Sequence, residues 1–215
     1  MIRAQRTCSV WQRSPISGKA LAPLSNQAIL RVHIKLDSEP SYEDSLVLWL
    51  QAGCWFADIR VKLASGEIYS GFGGIVWWQK PQLWFQQLIN ISGARCDQDI
   101  GHIALTPFGC FEQGTFDRDG QTVYFEEKWQ FRQSLFSRVY TRYRRGKLIG
   151  LEIQTDKHCI LIVKDKVNLF VRRGRTGGSG KWQTVHSNTS RDICWQPSVG
   201  LARPGWQLRE VVSSP

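Results

Sequence analysis

Leu46-Val47-Leu48-Trp49-Leu50-Gln51 and, after Gly53, the stretch Cys54-Trp55-Phe56-Ala57-Asp58-Ile59-Arg60-Val61-Lys62-Leu63 decide the fold class. The second stretch alternates. Trp55, Ala57, Ile59, Val61 and Leu63 fall on one face, and Phe56, Asp58, Arg60 and Lys62 on the other. Successive strand side chains point to opposite faces, so this is the signature of a half-buried β-strand. The first stretch is apolar without alternation. A strand covered on both faces reads this way.

The same signal extends outward. Gln27 to Leu36 has period two, with Ile29, Arg31, His33 and Lys35 opposite Leu30, Val32, Ile34 and Leu36. Ile68 to Trp78 reads as a strand softened by Gly71, Gly73 and Gly74, and such glycines mark bulges or bends. Leu83 to Ile91 reads as a strand or short helix. Ile100–Pro107, Cys110–Phe116 and Thr122–Phe131 read as a meander, with a hairpin turn at Asp117-Arg118-Asp119-Gly120. A second hairpin turns at Arg145-Gly146-Lys147, and further strands follow to Val212. A short helix within 132–145 is the one helical alternative. The expectation is an all-β, antiparallel barrel of roughly ten to twelve strands. Residues 1–44 would form an N-terminal segment with one strand packing on the barrel, and residues 45–215 the barrel domain, one globular unit overall.

Composition agrees with a folded core. Of 215 residues, 42% are hydrophobic and ten are Trp, enough large rings to fill a wide space between sheets or inside a barrel. The apolar runs are far shorter than the roughly 20 residues of a spanning helix. The N-terminus has no apolar block after its basic residues, so it lacks a secretory pattern, and a cytoplasmic location is expected. The six cysteines have neither C-x-x-C nor zinc-finger spacing and are expected to be reduced and mostly buried. No metal site is expected.

Charge is uneven. The net charge is +10, yet residues 41–131 carry −5 and residues 132–181 carry +10. Such asymmetry suits an anionic partner or a solvated basic face.

Three pieces of sequence carry a family resemblance. They are Trp11-Gln12-Arg13 with a Gly soon after; Val47-Leu48-Trp49-Leu50-Gln51 followed by Ala57-Asp58-Ile59-Arg60; and Asp99-Ile100-Gly101 leading to Glu112-x-Gly114 and Tyr124-x-Glu126-x-x-Trp129. Together these resemble a family of bacterial and fungal proteins with calycin-like (lipocalin-like) barrels, whose fungal members include a casein-kinase-interacting protein. The resemblance spans roughly residues 10–175. It implies a barrel that can hold a small apolar or tetrapyrrole ligand, and it implies no specific cofactor.

Two clusters are candidate sites. In the strand ending at Phe131, Val123, Phe125, Glu127, Trp129 and Phe131 share a face that Glu127 interrupts. A buried carboxylate needs a partner, and the forked guanidinium of Arg60 is the expected one, joined by Asp58 and Glu112. The ligand-binding set is therefore Arg60, Glu127, Trp129, Asp58 and Glu112. The structural alternative is an ion pair with no ligand. The second cluster comprises Arg142, Arg144, Arg145, Arg172 and Arg173, a candidate polyanion surface; a solvated edge or a surface for an acidic protein is the alternative. No nucleic-acid recognition module is recognisable. The glycine-rich stretch 177–180 lacks a phosphate-loop ending and reads as a linker. Paired carboxylates at Asp97/Asp99 and Asp117/Asp119 fall in turns, and nothing in the sequence arranges the four histidines. The reading is a non-enzymatic barrel that binds a small apolar ligand, a partner protein, or both. The alternatives are polyanion binding and an enzyme with an unrecognised site.

Overall fold

Two neighbouring strands, β2 (Ser45–Ala52) and β3 (Trp55–Lys62), are buried on both faces, and the two units of the molecule share them as a wall. The computed structural model describes residues 24–92, 98–118, 120–164, 166–173, 181–188, 197 and 205–213. Among them all regular structure is β. The first unit is a closed antiparallel barrel of eight strands in sequential order. Its other members are β1 (Gln27–Leu36), β4 (Ile68–Gln79), β5 (Gln82–Asn90), β6 (Gln98–Thr106), β7 (Gly109–Arg118) and β8 (Gln121–Gln133). Closure comes from β1 pairing with β8 as well as β2. The second unit is a six-stranded antiparallel sheet. It comprises β9 (Phe136–Arg144), β10 (Lys147–Thr155), β11 (His158–Val163), β12 (Lys166–Arg173), β13 (Lys181–Ser187) and β14 (Gln207–Ser213), in the order β13-β12-β11-β10-β9-β14.

The all-β expectation holds at the level of class, while the barrel has eight strands and not ten to twelve. The remaining strands build a separate sheet. Strand periodicity is the same in a barrel and in an open sheet, which is why counting strands overestimated the barrel. Residues 83–91 and 132–145 are strand or turn, with no helix. Strand β1, placed ahead of the barrel by a division at residue 44, is one of its staves, and residues 136–213 supply the second sheet.

The shared wall explains the opening stretch of sequence. Val47 and Trp49 point into the barrel, where they pack with Ile29, Phe56, Val76, Leu83, Ile103 and Trp129. Leu48, Leu50 and Ala52 point outward with Trp55, Ala57, Ile59 and Val61 against the second sheet. That sheet answers with Val139, Leu151, Ile153, Ile160, Ile162 and Val167. A third cluster of Tyr140, Cys159, Leu161, Phe170 and Trp206 lies on its other face. Consequently β11 is also buried on both sides, and Cys159-Ile160-Leu161-Ile162-Val163 reads as a continuous apolar run. Burying each such aliphatic side chain stabilises by roughly 1.5–3 kcal/mol, so this double-sided hairpin contributes to two cores at once.

The glycines of β4 act through close approach as well as bending. A register shift falls between Gly73 and Gly74. A Cβ on Gly73 would lie 2.5 Å from Leu151 of β10 and 2.7 Å from the Phe56 carbonyl, so its absence lets the second sheet rest on the barrel wall. The turn joining β9 to β10 has Arg145 at φ 50° and Gly146 at φ 73°, the pair of positive angles that a tight two-residue hairpin demands. Cys54 and Cys110 are free thiols, and Cys8, Cys96 and Cys194 lie outside the described residues. Gly73→Val should destabilise the protein by about 1–3 kcal/mol, because the backbone of Phe56 cannot yield to the new methyls. Chemical denaturation of the variant and the parent measures this directly.

Candidate functional site

Alternation carries one charged residue after another into the barrel. On β3 the outward face is apolar because it meets the second sheet, so Phe56, Asp58, Arg60 and Lys62 are left facing the lumen. The polar face of this strand is thus its inner face. On β8 the same rule turns Phe125, Glu127 and Trp129 inward, and on β7 it turns Glu112 inward, directly across the strand pair from Glu127. All five residues of the expected ligand-binding set line one cavity of about 530 Å³. Its walls run from buried Trp49 and Trp129 to exposed Tyr42, Tyr69 and Phe116, so the cavity reaches the surface. Phe72 and Phe85 complete an aromatic lining. Edge-to-face contacts join Trp49 to Phe85 at 5.4 Å and to Trp129 at 5.9 Å, and Phe56 to Phe85 at 5.3 Å.

The pairing differs from the expected one. Glu127 is held by Arg31, whose Nη1 donates to Oε1 at 2.6 Å. Arg31 also donates through Nε and Nη2 to the two oxygens of Glu43, at 2.8 and 3.0 Å. It is therefore clamped between two carboxylates. Arg60 instead donates its Nε to Asp58 Oδ1 at 3.1 Å, two residues back along the same strand. The Arg60 guanidinium lies 5.4 Å from the centre of the Phe72 ring, and 30% of its side chain stays open because it faces the cavity. Arg31 is absent from the expected site. A register shift between Arg31 and His33 reverses the phase of β1, so Ile29 and Arg31 face inward first and Ile34 and Leu36 afterwards. The signal was present as apolar residues on both phases of Ile29 to Leu36.

Burial dominates the electrostatics. Burial, with Glu127 and then Asp99 nearby, pushes the Glu112 carboxyl up to about 8, against partial relief from Arg60 and Trp129. The Trp129 Nε1–H nevertheless has no acceptor in bonding geometry. Desolvation also raises Asp58 and Glu127, in spite of Arg60 beside the first and of Arg60 and Arg31 beside the second. Burial alone would lower both arginines. For Arg31 the contacts with Glu43 and Glu127 outweigh it, and for Arg60 the attraction of Asp58 and Glu127 does, so both are raised.

The basic residues do not form one surface. Arg144 and Arg145 are exposed at the β9–β10 turn, and Arg142 lies just before them on β9. Arg172 sits toward the opposite end of the sheet, 4.5 Å from the centre of the Trp182 ring and 6.0 Å from that of Phe136. The backbone of Arg173 pairs with Lys181 beside it. Phe136 and Arg144 lie eight positions apart on β9, roughly 26 Å at strand rise. The glycine-rich stretch 177–180 lies outside the described residues, as does Trp11-Gln12-Arg13. His158 and Cys159 point to opposite faces: His158 lines a second cleft, of about 650 Å³, between barrel and sheet, and Cys159 joins the third cluster. Among the described residues no group of three or more His, Cys, Asp or Glu is placed to hold a metal, and no helix is long and apolar enough to cross a membrane.

Glu112 gives the site a stability signature. Its folded-state value lies above its unfolded value, so between about pH 4.5 and 8 the folded protein holds a proton that the unfolded chain has lost. Stability contributed by this group therefore falls as pH rises through that window. Glu112→Gln, a neutral isostere, should be more stable than the parent at pH 8.5 by several kcal/mol, and the difference should vanish toward pH 4.5. Thermal unfolding of both proteins across that range tests it.

No family model matches the chain, and no curated protein matches it. Among solved structures, the crystal structure of uncharacterized protein YLR301w from Saccharomyces cerevisiae is similar, with a TM-score of 0.66 and 14% identity over 87% of this chain and 100% of that one. At that identity the likeness is one of fold.

Proposed function

We propose that this protein is a non-enzymatic binding protein that takes one small molecule into the lumen of a calycin-like barrel. The observation that carries the reading is the 530 Å³ cavity, lined by aromatic rings interspersed with Arg60, Glu127, Asp58 and Glu112. Ligand sites commonly fall at roughly 300–1,000 Å³ and combine apolar walls with a few converging polar groups. A barrel built only for stability would fill its lumen with side chains. Here Phe72, Phe85 and Gln87 remain partly open although they point inward. The charged wall shifts the ligand from purely apolar to amphipathic, with an aromatic or aliphatic body and a polar end.

The other readings have less support. Polyanion binding would use Arg142, Arg144 and Arg145 at one turn, since Arg172 and Arg173 lie too far away to share a partner site with them. An enzymatic reading keeps the Glu112 and Glu127 carboxyls on adjacent strands, but the bond from Arg31 to Glu127 argues for a structural role of that carboxylate.

The neutral dye N-phenyl-1-naphthylamine, which brightens in apolar sites, should bind the full chain with one-to-one stoichiometry. Gln87→Trp would fill the lumen and should weaken the dye at least about tenfold, since overfilled sites cannot yield without strain. Binding that ignores this substitution would refute a luminal site.

A further inference from the structure

Three carboxyl groups of the lumen, Asp58, Glu112 and Glu127, face two guanidinium groups, Arg31 and Arg60. Glu43 and Glu127 share Arg31, and Asp58 takes Arg60. Glu112 has no ion pair of its own among the described residues, although it is only 8% exposed and lines the cavity. Asp99 of β6 adds a further carboxylate to the same wall. At the mouth, Lys62 is already paired with Glu67, and Arg118 lies 5.4 Å from the centre of the Phe116 ring. An uncompensated carboxyl in a site of low polarity favours either a proton or a cation.

Resting on the luminal reading above, we infer that the ligand is an organic cation, an ammonium group on an apolar or aromatic body, with Glu112 as its counter-ion. Three observations converge. Glu112 is buried against the cavity and has no ion pair of its own among the described residues. Trp49, Phe56, Phe72, Phe85 and Trp129 present ring faces and edges to the same space, and an alkylammonium gains from aromatic faces once it is desolvated. The cavity is far larger than a bare ion, and among the described residues no three of His, Cys, Asp or Glu are placed to hold a metal. The opposing feature is Arg60, whose terminal nitrogens face the cavity without a protein acceptor; they offer a fork to a carboxylate. The partners already present decide between the two. Arg60 has Asp58 as its counter-ion, whereas Glu112 is buried against the cavity with no ion pair among the described residues, so a cation fills the unmet place.

A proton balance follows. The Glu112 carboxyl, pushed up to about 8 by burial, Glu127 and Asp99, is mostly protonated at pH 7. The groups facing it are Glu127 from β8, Asp99 from β6, Arg60 and Asp58 from β3, Arg31 from β1, and the buried Cys110 thiol on its own strand. Binding an ammonium group beside Glu112 displaces its proton to solvent, and the carboxylate then pairs with the cation. Affinity should therefore rise about tenfold per pH unit up to roughly pH 7.5 and level off above 8.

The experiment uses displacement of bound N-phenyl-1-naphthylamine from the full chain by tryptamine and by indole-3-propionate, which share an indole body and differ in the sign of their charge. Tryptamine is expected to displace the dye at least tenfold better at pH 7. Calorimetry in two buffers of different ionisation enthalpy should show nearly one proton released per tryptamine bound. Glu112→Gln should remove both the proton release and the pH dependence, and circular dichroism checks that the variant is folded. Equal displacement by the two probes, or preference for indole-3-propionate, would overturn the cation assignment while leaving the luminal site standing. Failure of the dye itself to bind would remove the luminal reading and this inference together.

Discussion

The hairpin of β2 and β3 is the constraint on which the rest of the structure depends. One of its faces is the inner wall of the barrel and the other is the floor of the second sheet. Val47, Trp49 and Phe56 serve the first, and Leu48, Leu50, Ala57 and Ile59 serve the second. Neither core can be altered at these strands without moving the other, since closely packed interiors transmit displacement. Gly73 on the adjacent strand extends the shared surface by letting Leu151 approach the barrel backbone.

This arrangement also fixes where charge can go. Because the outer face of β3 is committed to the second sheet, its polar residues have only the lumen. The lumen therefore gathers Asp58 and Arg60 from β3, Glu127 and Glu112 from β8 and β7, and Arg31 from β1. Such a cluster is costly to bury, and its bonds offset the cost only in part, as the upward displacement of all three carboxyl groups shows. Well-packed aliphatic side chains in their place would be at least as stable. A barrel that keeps a charged lumen instead gives up stability for a cavity.

The change of charge along the chain follows the division into units. Residues 41–131 carry −5 and supply seven of the eight barrel strands, while residues 132–181 carry +10 and supply most of the second sheet. The basic excess thus belongs to a surface separate from the lumen. Its members spread from the β9–β10 turn to the far end of β12, so a high local count in sequence became two groups in space.

The sequence by itself determined the strands, the turns and the identity of most luminal residues. Period two at Cys54 to Leu63 and at Val123 to Phe131 depends only on backbone geometry, so Asp58, Arg60, Glu127 and Trp129 could be grouped by face from their spacing. Turn residues such as Arg145 and Gly146 are likewise local, because the required positive φ is a property of one or two residues. Tertiary structure alone decided which face was inward, which strands closed the barrel, and who paired with whom. Alternation is symmetric between faces, and the charged face of β3 became internal only because a second sheet covered the apolar one. Arg31 faces the lumen in phase with Ile29, and a bulge just after it brings Ile34 and Leu36 to the same face; a one-residue shift exchanges faces without changing composition. Its bonds to Glu43 and Glu127 join residues 12 and 96 positions away, and no local pattern in the chain specifies such a distance.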